Sequence, residues 1–84
     1  MLEKEMRMRS ITKRELGQCL VELGGVEQSQ GRFEGEGWRV DLGAERKVSI
    51  GAFRLPEIVV TIRAEPDVFE RFLARFRLKT LRGG

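Results

Sequence analysis

Histidine, tyrosine and asparagine are absent from this sequence, and cysteine occurs once, as Cys19. Without His there is no Ser-His or Cys-His nucleophilic pair, and with one Cys no Cys/His zinc cluster can form. A single thiol cannot close an internal disulfide, which fits a reducing compartment. No apolar run approaches the roughly 20 residues that cross a bilayer. The opening Met1-Leu2-Glu3-Lys4-Glu5 carries acids where a secretory signal would be basic, and no apolar stretch follows. The expected location is therefore cytoplasmic. The lack of Asn is a thermophile tendency. A carboxylate-based metal or acid/base site stays open but has no motif behind it, and no cofactor motif is present, so an enzyme is not expected.

What remains is a chain of 84 residues with a net charge of +3. That length makes one domain with a modest core. Residues 4–10 alternate Met6 and Met8 with Glu5, Arg7 and Arg9, a half-buried strand pattern. Thr12-Lys13-Arg14-Glu15 is a capping box, with Ile11 and Leu16 placed for a hydrophobic staple. Leu16, Cys19, Leu20 and Leu23 follow at i, i+3, i+4 and i+7, giving one apolar helix face that Gly24-Gly25 ends. Cys19, on that face, reads as a small buried hydrophobe.

Residues 26–34 read as a weak, polar strand ending in the turn signal Glu34-Gly35-Glu36-Gly37. Trp38, Val40 and Leu42 form an amphipathic strand, with Trp38 a core or sheet-packing residue, and Gly43-Ala44-Glu45 is expected to turn the chain. Val48 and Ile50 are out of phase with Phe53 and Leu55, which a bulge near Gly51 would absorb. Leu55-Pro56 is expected to break pairing before the most hydrophobic strand, Ile58, Val60 and Ile62. Asp67 and Glu70 suggest a capping-box variant at the second helix, which follows Pro66. Phe69, Phe72, Leu73 and Phe76 form its apolar face. Leu78 and Leu81 fall off that face, so fraying is expected there. The predicted architecture is α+β, in the order β-α-β-β-β-β-α. Its sheet is mainly antiparallel with both helices on one face, leaving the other open or covered by a partner.

Two groups of residues are candidate sites. Residues 1–80 form the expected domain, and 81–84 a flexible tail. That tail, Leu81-Arg82-Gly83-Gly84, resembles the ends of ubiquitin-like modifiers and small sulfur carriers. Two glycines without Cβ atoms make a thread thin enough for an enzyme tunnel. Residues 79–84 extended would reach roughly 20 Å. The tail reads either as a carboxylate that an E1-like enzyme adenylates, or as a solvated end. The second group is basic: Arg71, Arg75, Arg77 and Lys79. It would suit an acidic partner or nucleic acid, though no aromatic platform accompanies it and such clusters are commonly solvated faces.

Several short features together resemble the C-terminal domain of MoaD-related proteins, over about Ile11 to Gly84. MoaD is the small sulfur-carrying subunit of molybdopterin synthase. The features are the helix ending Leu23-Gly24-Gly25, the Glu34-Gly35-Glu36-Gly37 turn, Lys47-Val48, Leu55-Pro56, Phe69 and Phe72, and Arg82-Gly83-Gly84. The resemblance implies a TATA-binding-protein-like α+β fold and a non-enzymatic carrier or accessory role. It also implies a partner in the MoaD pathway or an E1-like activating enzyme. In two-domain members a β-grasp domain precedes this one, and this chain shows no counterpart. Ubiquitin-like chains begin with a hairpin, whereas this one reads β-α. The terminal glycines are therefore the only residues onto which carriage transfers.

Overall fold

The first helix begins where the Thr12-x-x-Glu15 spacing puts it. The computed structural model describes residues 1–81. In it the Glu15 amide donates to Thr12 Oγ1 at 3.1 Å, and the Thr12 amide donates to Glu15 Oε1 at 2.9 Å. The helix α1, Lys13–Glu22, buries Leu16, Cys19 and Leu20. Gly24 closes it with φ +97°. The Gly24 and Gly25 amides donate to the Val21 and Leu20 carbonyls, at 3.0 and 2.9 Å. This is the Schellman pattern, which needs a residue free to take the left-handed region.

Six strands form one antiparallel sheet: β1 (Leu2–Arg9), β2 (Val26–Ser29), β3 (Arg32–Gly35), β4 (Trp38–Leu42), β5 (Arg46–Ile50) and β6 (Phe53–Ala64). The order across the sheet is β1-β6-β4-β3-β2, with β5 paired to β6. The second helix, α2, spans Pro66–Thr80. The α+β class and the antiparallel sheet match the sequence-based expectation, but five strands rather than four separate the helices. The polar stretch read as one strand is the β2–β3 hairpin, because Gln30 and Gly31 turn the chain between the paired Ser29 and Arg32.

Three further local expectations change once pairing partners are known. First, Gly51 is not in a bulge. Ile50 pairs with Phe53, so Gly51-Ala52 is a two-residue hairpin loop. Gly51 has φ +60°, as the first position of a II′ turn requires. Second, Gly43-Ala44-Glu45 is not a turn. Leu42 pairs with Val60 and Arg46 with Glu57, so three residues face two and the bulge lies here. Third, Pro56 does not break pairing, since β6 runs unbroken and Lys47 pairs with Pro56. The two-residue loop makes Ile50 and Phe53 a hydrogen-bonded pair, so by alternation the Lys47–Pro56 pair needs no N–H from Pro56. The Pro56 carbonyl points the other way and accepts from the Ser10 amide at 3.1 Å.

At α2, Pro66 occupies the first helical turn and the cap falls on Glu65, which makes no side-chain cap bond. Asp67 is thus not a cap. It sits in the first turn, where its charge favours the helix dipole. The helix ends within the Leu78 to Leu81 stretch where fraying is expected. Leu78 remains helical though 73% exposed, and the end comes at Thr80.

Both helices cover one face of the sheet. Leu16, Leu20 and Leu23 meet Phe72, Leu73 and Phe76 over Val40, Ile58, Val60 and Ile62. Trp38 is buried as expected and stacks on Phe72, with ring centroids 4.3 Å apart. The opposite face bears cross-strand ion pairs. Arg32 Nε donates to Asp41 Oδ1, and Arg63 Nε to Glu3 Oε1, each at 2.8 Å.

The strand β6 is the spine. Its 12 residues extend about 40 Å, whereas the 15 residues of α2 extend about 22 Å. The helices therefore cover only its C-terminal part. Glu57 pairs with both Arg9 of β1 and Arg46 of β5. A strand has two edges, so β5 must share the β4 edge of β6. Beyond that point β5 and the start of β6 project as an arm.

Candidate functional site

The tail candidates divide at the end of α2. Thr80 Oγ1 donates to the Phe76 carbonyl at 2.9 Å, finishing the helix. Leu81 is its C-cap and is 76% exposed. It borders a concavity with Glu15, Gln18, Cys19 and Lys79. The expected carrier residues Arg82, Gly83 and Gly84 lie outside the described residues. Cys19 is buried as expected, and its thiol donates to the Lys79 carbonyl at 3.6 Å.

The four basic residues of α2 are not one patch. Arg71 and Arg75, one turn apart, line a single groove of about 390 Å³ with Leu23, Trp38, Phe72 and Glu36. Arg77 lies about 200° around the helix from Arg75, and so on another flank. Lys79 is tied to α1, where its Nζ donates to Glu22 Oε1 at 3.1 Å. Lys79, with help from Gln18, holds the Glu22 carboxyl below the ordinary carboxylate range. Arg71 and Arg75 thus share their groove with the acidic Glu36, and Arg75 also borders a hollow with Lys79, Leu23 and Leu78. A larger groove, of about 480 Å³, lies between α1 and the β2–β3 hairpin, over Gly17, Phe33 and Leu42. Lys13 and Arg14 border it.

On the open sheet face Glu57 is only 7% exposed. Arg9 Nε donates to its Oε2 at 2.8 Å. This contact keeps the carboxyl below the ordinary glutamate range, against the opposing effect of desolvation. Beyond Glu57 the sheet becomes apolar. Val48, Ile50, Phe53 and Leu55 share one face of the arm. Phe53 is 70% and Ile50 44% exposed. None of these four is among the candidate site residues expected from the sequence. The signal was present as the phase change between Val48-Ile50 and Phe53-Leu55. Read as a hairpin rather than a bulge, it brings all four onto one face.

Among the described residues no three His, Cys, Asp or Glu side chains are grouped to hold a metal ion. No helix among them is long and apolar enough to cross a membrane. The family model for archaeal MoaD-like protein matches residues 4–84, a span that takes in both helices, the sheet from Lys4 onward and the Gly83-Gly84 end. No curated protein matches the chain.

Proposed function

The chain belongs to the archaeal MoaD-like protein family, and on that premise we propose that it is a non-enzymatic carrier in MoaD-type sulfur transfer. The reading takes Gly84 as the last residue, with its carboxylate the reactive group. Leu81, Arg82 and Gly83 are the stem that an activating enzyme would grip. The observation that carries the proposal is the extent of the family match, which runs through residue 84 and so includes the tail. Exposure of Leu81 at the end of α2 fits a stem that starts clear of the core.

The chemistry needs little from the domain. A carboxylate oxygen of Gly84 attacks the α-phosphorus of ATP on an E1-like enzyme, and pyrophosphate leaves. A sulfide-level donor then attacks the acyl carbon, AMP leaves, and a thiocarboxylate remains. An amine in place of sulfide would give an amide-linked conjugate instead. The domain supplies recognition, and Arg71 and Arg75 are the cations best placed to steer an acidic enzyme. The carrier is taken to work in the cytoplasm.

The test is intact mass spectrometry of the chain from its native host, and after incubation with an E1-like enzyme, ATP and a sulfide donor. An oxygen-to-sulfur mass exchange located at Gly84, lost in a variant lacking Gly83 and Gly84, is expected. A plain, unlinked carboxylate under all these conditions rules the carrier out. An accessory role as a protein-interaction module is the second reading. The observations favouring it are the open sheet face, which no helix among the described residues covers, and the exposed Arg71 and Arg75 on the basic helix. A partner captured equally with and without Gly83-Gly84, but lost on Arg71→Glu plus Arg75→Glu, would support it.

A further inference from the structure

The β5–β6 arm stands apart from the core on both of its faces. One face carries Val48, Ile50, Phe53 and Leu55, and the other carries Lys47, Ser49, Arg54 and Pro56. Lys47, Ser49, Ile50, Phe53 and Arg54 are all exposed. An isolated two-stranded hairpin is marginal in water, and four clustered apolar side chains at its surface are unusual for a part with no partner.

The outer edge of β5 is unpaired among the described residues. With Ile50–Phe53 a hydrogen-bonded pair, Val48–Leu55 and Arg46–Glu57 are also bonded pairs. The backbone N–H and C=O groups of Lys47 and Ser49 therefore point away from β6. They form the hydrogen-bonding template that an added strand uses.

Charge selects the occupant. Lys47 and Arg54 share the second face and form no ion pair among the described residues, whereas Arg46 lies at the base of the first face beside Glu57, whose carboxyl its charge helps keep ionised. The two nearby acids are otherwise engaged: Glu45 Oε1 accepts from the Lys13 amide at 2.8 Å, and Glu57 is held by Arg9. Beyond Arg46 and Glu57 the arm is thus apolar on one face and carries the cations Lys47 and Arg54 on the other. A strand laid along β5 alternates its side chains between the same two faces. A second copy of this chain fits poorly, because two-fold pairing about Val48 would bring the two Lys47 ammonium groups diagonally across the new ladder.

We propose that the β5 edge binds an extended segment of a partner protein that alternates apolar with acidic side chains, adding it to the sheet as a seventh strand. Its apolar residues lie against Val48, Ile50 and Phe53, and its carboxylates meet Lys47 and Arg54. The site does not involve the Gly83-Gly84 tail.

Fluorescence anisotropy of the full chain tests this with three labelled synthetic peptides. One alternates valine with glutamate, one alternates valine with lysine, and one has the valines and glutamates in two blocks. The alternating glutamate peptide should bind best, more weakly at high salt, and unchanged when Gly83 and Gly84 are removed. Lys47→Glu plus Arg54→Glu should turn the preference toward the lysine peptide by about fivefold or more, the scale two exposed charge pairs reach. Ser49→Pro removes an outward N–H and should abolish binding. Circular dichroism checks that each variant folds, and if Ser49→Pro does not, the charge reversal alone decides. Equal binding of the alternating and block peptides overturns the proposal, as does a preference unmoved by charge reversal. So does a concentration-dependent dimer in sedimentation velocity that Ile50→Lys dissolves, which would give the edge to a second copy.

Discussion

Gly24 and Gly25 are neighbours in sequence, yet alanine should destabilise them for unrelated reasons. At Gly24 an added Cβ meets nothing within 4 Å, but φ is +97°. The cost is conformational, about 1–2 kcal/mol for an L side chain held in the left-handed region. At Gly25 the backbone is ordinary, but a Cβ would lie 2.5 Å from Trp38 Cη2 and 2.9 Å from the Leu20 carbonyl oxygen. That is overpacking, costing about 1–3 kcal/mol. Either variant alone should lower the melting temperature of a domain this size by roughly 4–8 °C per kcal/mol. The two mechanisms separate in a Trp38→Phe background. Phe lacks the outer indole ring that crowds Gly25, so the cost of Gly25→Ala should shrink by about 1 kcal/mol, while that of Gly24→Ala should stay within about 0.5 kcal/mol. The Leu20 carbonyl keeps the first relief partial. Urea unfolding followed by circular dichroism measures all four terms of each cycle. If Gly25→Ala costs the same in the Trp38→Phe background as in the parent chain, the close approach of Trp38 is not what requires glycine there.

Other consequences follow from the same packing. Phe76 has no exposed surface and lies 6.1 Å from the Phe72 ring. Phe76→Ala should cost about 3–5 kcal/mol in urea unfolding, enough to leave a marginal domain partly unfolded. The Glu57 carboxyl titrates below its unfolded value because of Arg9. Its stabilisation is therefore present above the ordinary glutamate pKa of about 4.3 and is lost as pH falls through the folded value. Melting temperature should drop on acidification below about pH 5, and Glu57→Gln should flatten that slope. A slope unchanged in Glu57→Gln would assign it to other carboxylates. Arg71→Glu plus Arg75→Glu touches only exposed positions. It should shift stability by no more than about 0.5 kcal/mol per site, while slowing thiocarboxylate formation at low salt if those cations steer the activating enzyme.

The helices were legible because their signals are local. Thr12 and Glu15 cap each other across three residues, Gly24-Gly25 closes the same helix, and the apolar spacings name Leu16, Leu20, Phe72, Leu73 and Phe76 as core. The same locality misled where pairing matters. A one-residue phase change is produced equally by a bulge and by a two-residue hairpin, and only the partner of Ile50 distinguishes them. Pro56 reads as a breaker until the ladder shows that its missing N–H faces no acceptor on β5. Asp67 reads as a cap until Pro66 is seen to hold the first helical position. The basic cluster was visible as composition. That Lys79 is paired with Glu22 and that Arg77 lies on another flank required the structure.

By itself, then, the sequence determined an α+β domain with two amphipathic helices, a buried thiol and a Gly-Gly end. Each of these depends on residue type or on spacings within one or two turns. Only the tertiary structure decided that β6 outlasts the helices laid against it. Extended chain advances about 3.3 Å per residue and helix about 1.5 Å. A 12-residue strand cannot be covered along its length by a 15-residue helix, so its first residues and β5 are left to meet something else.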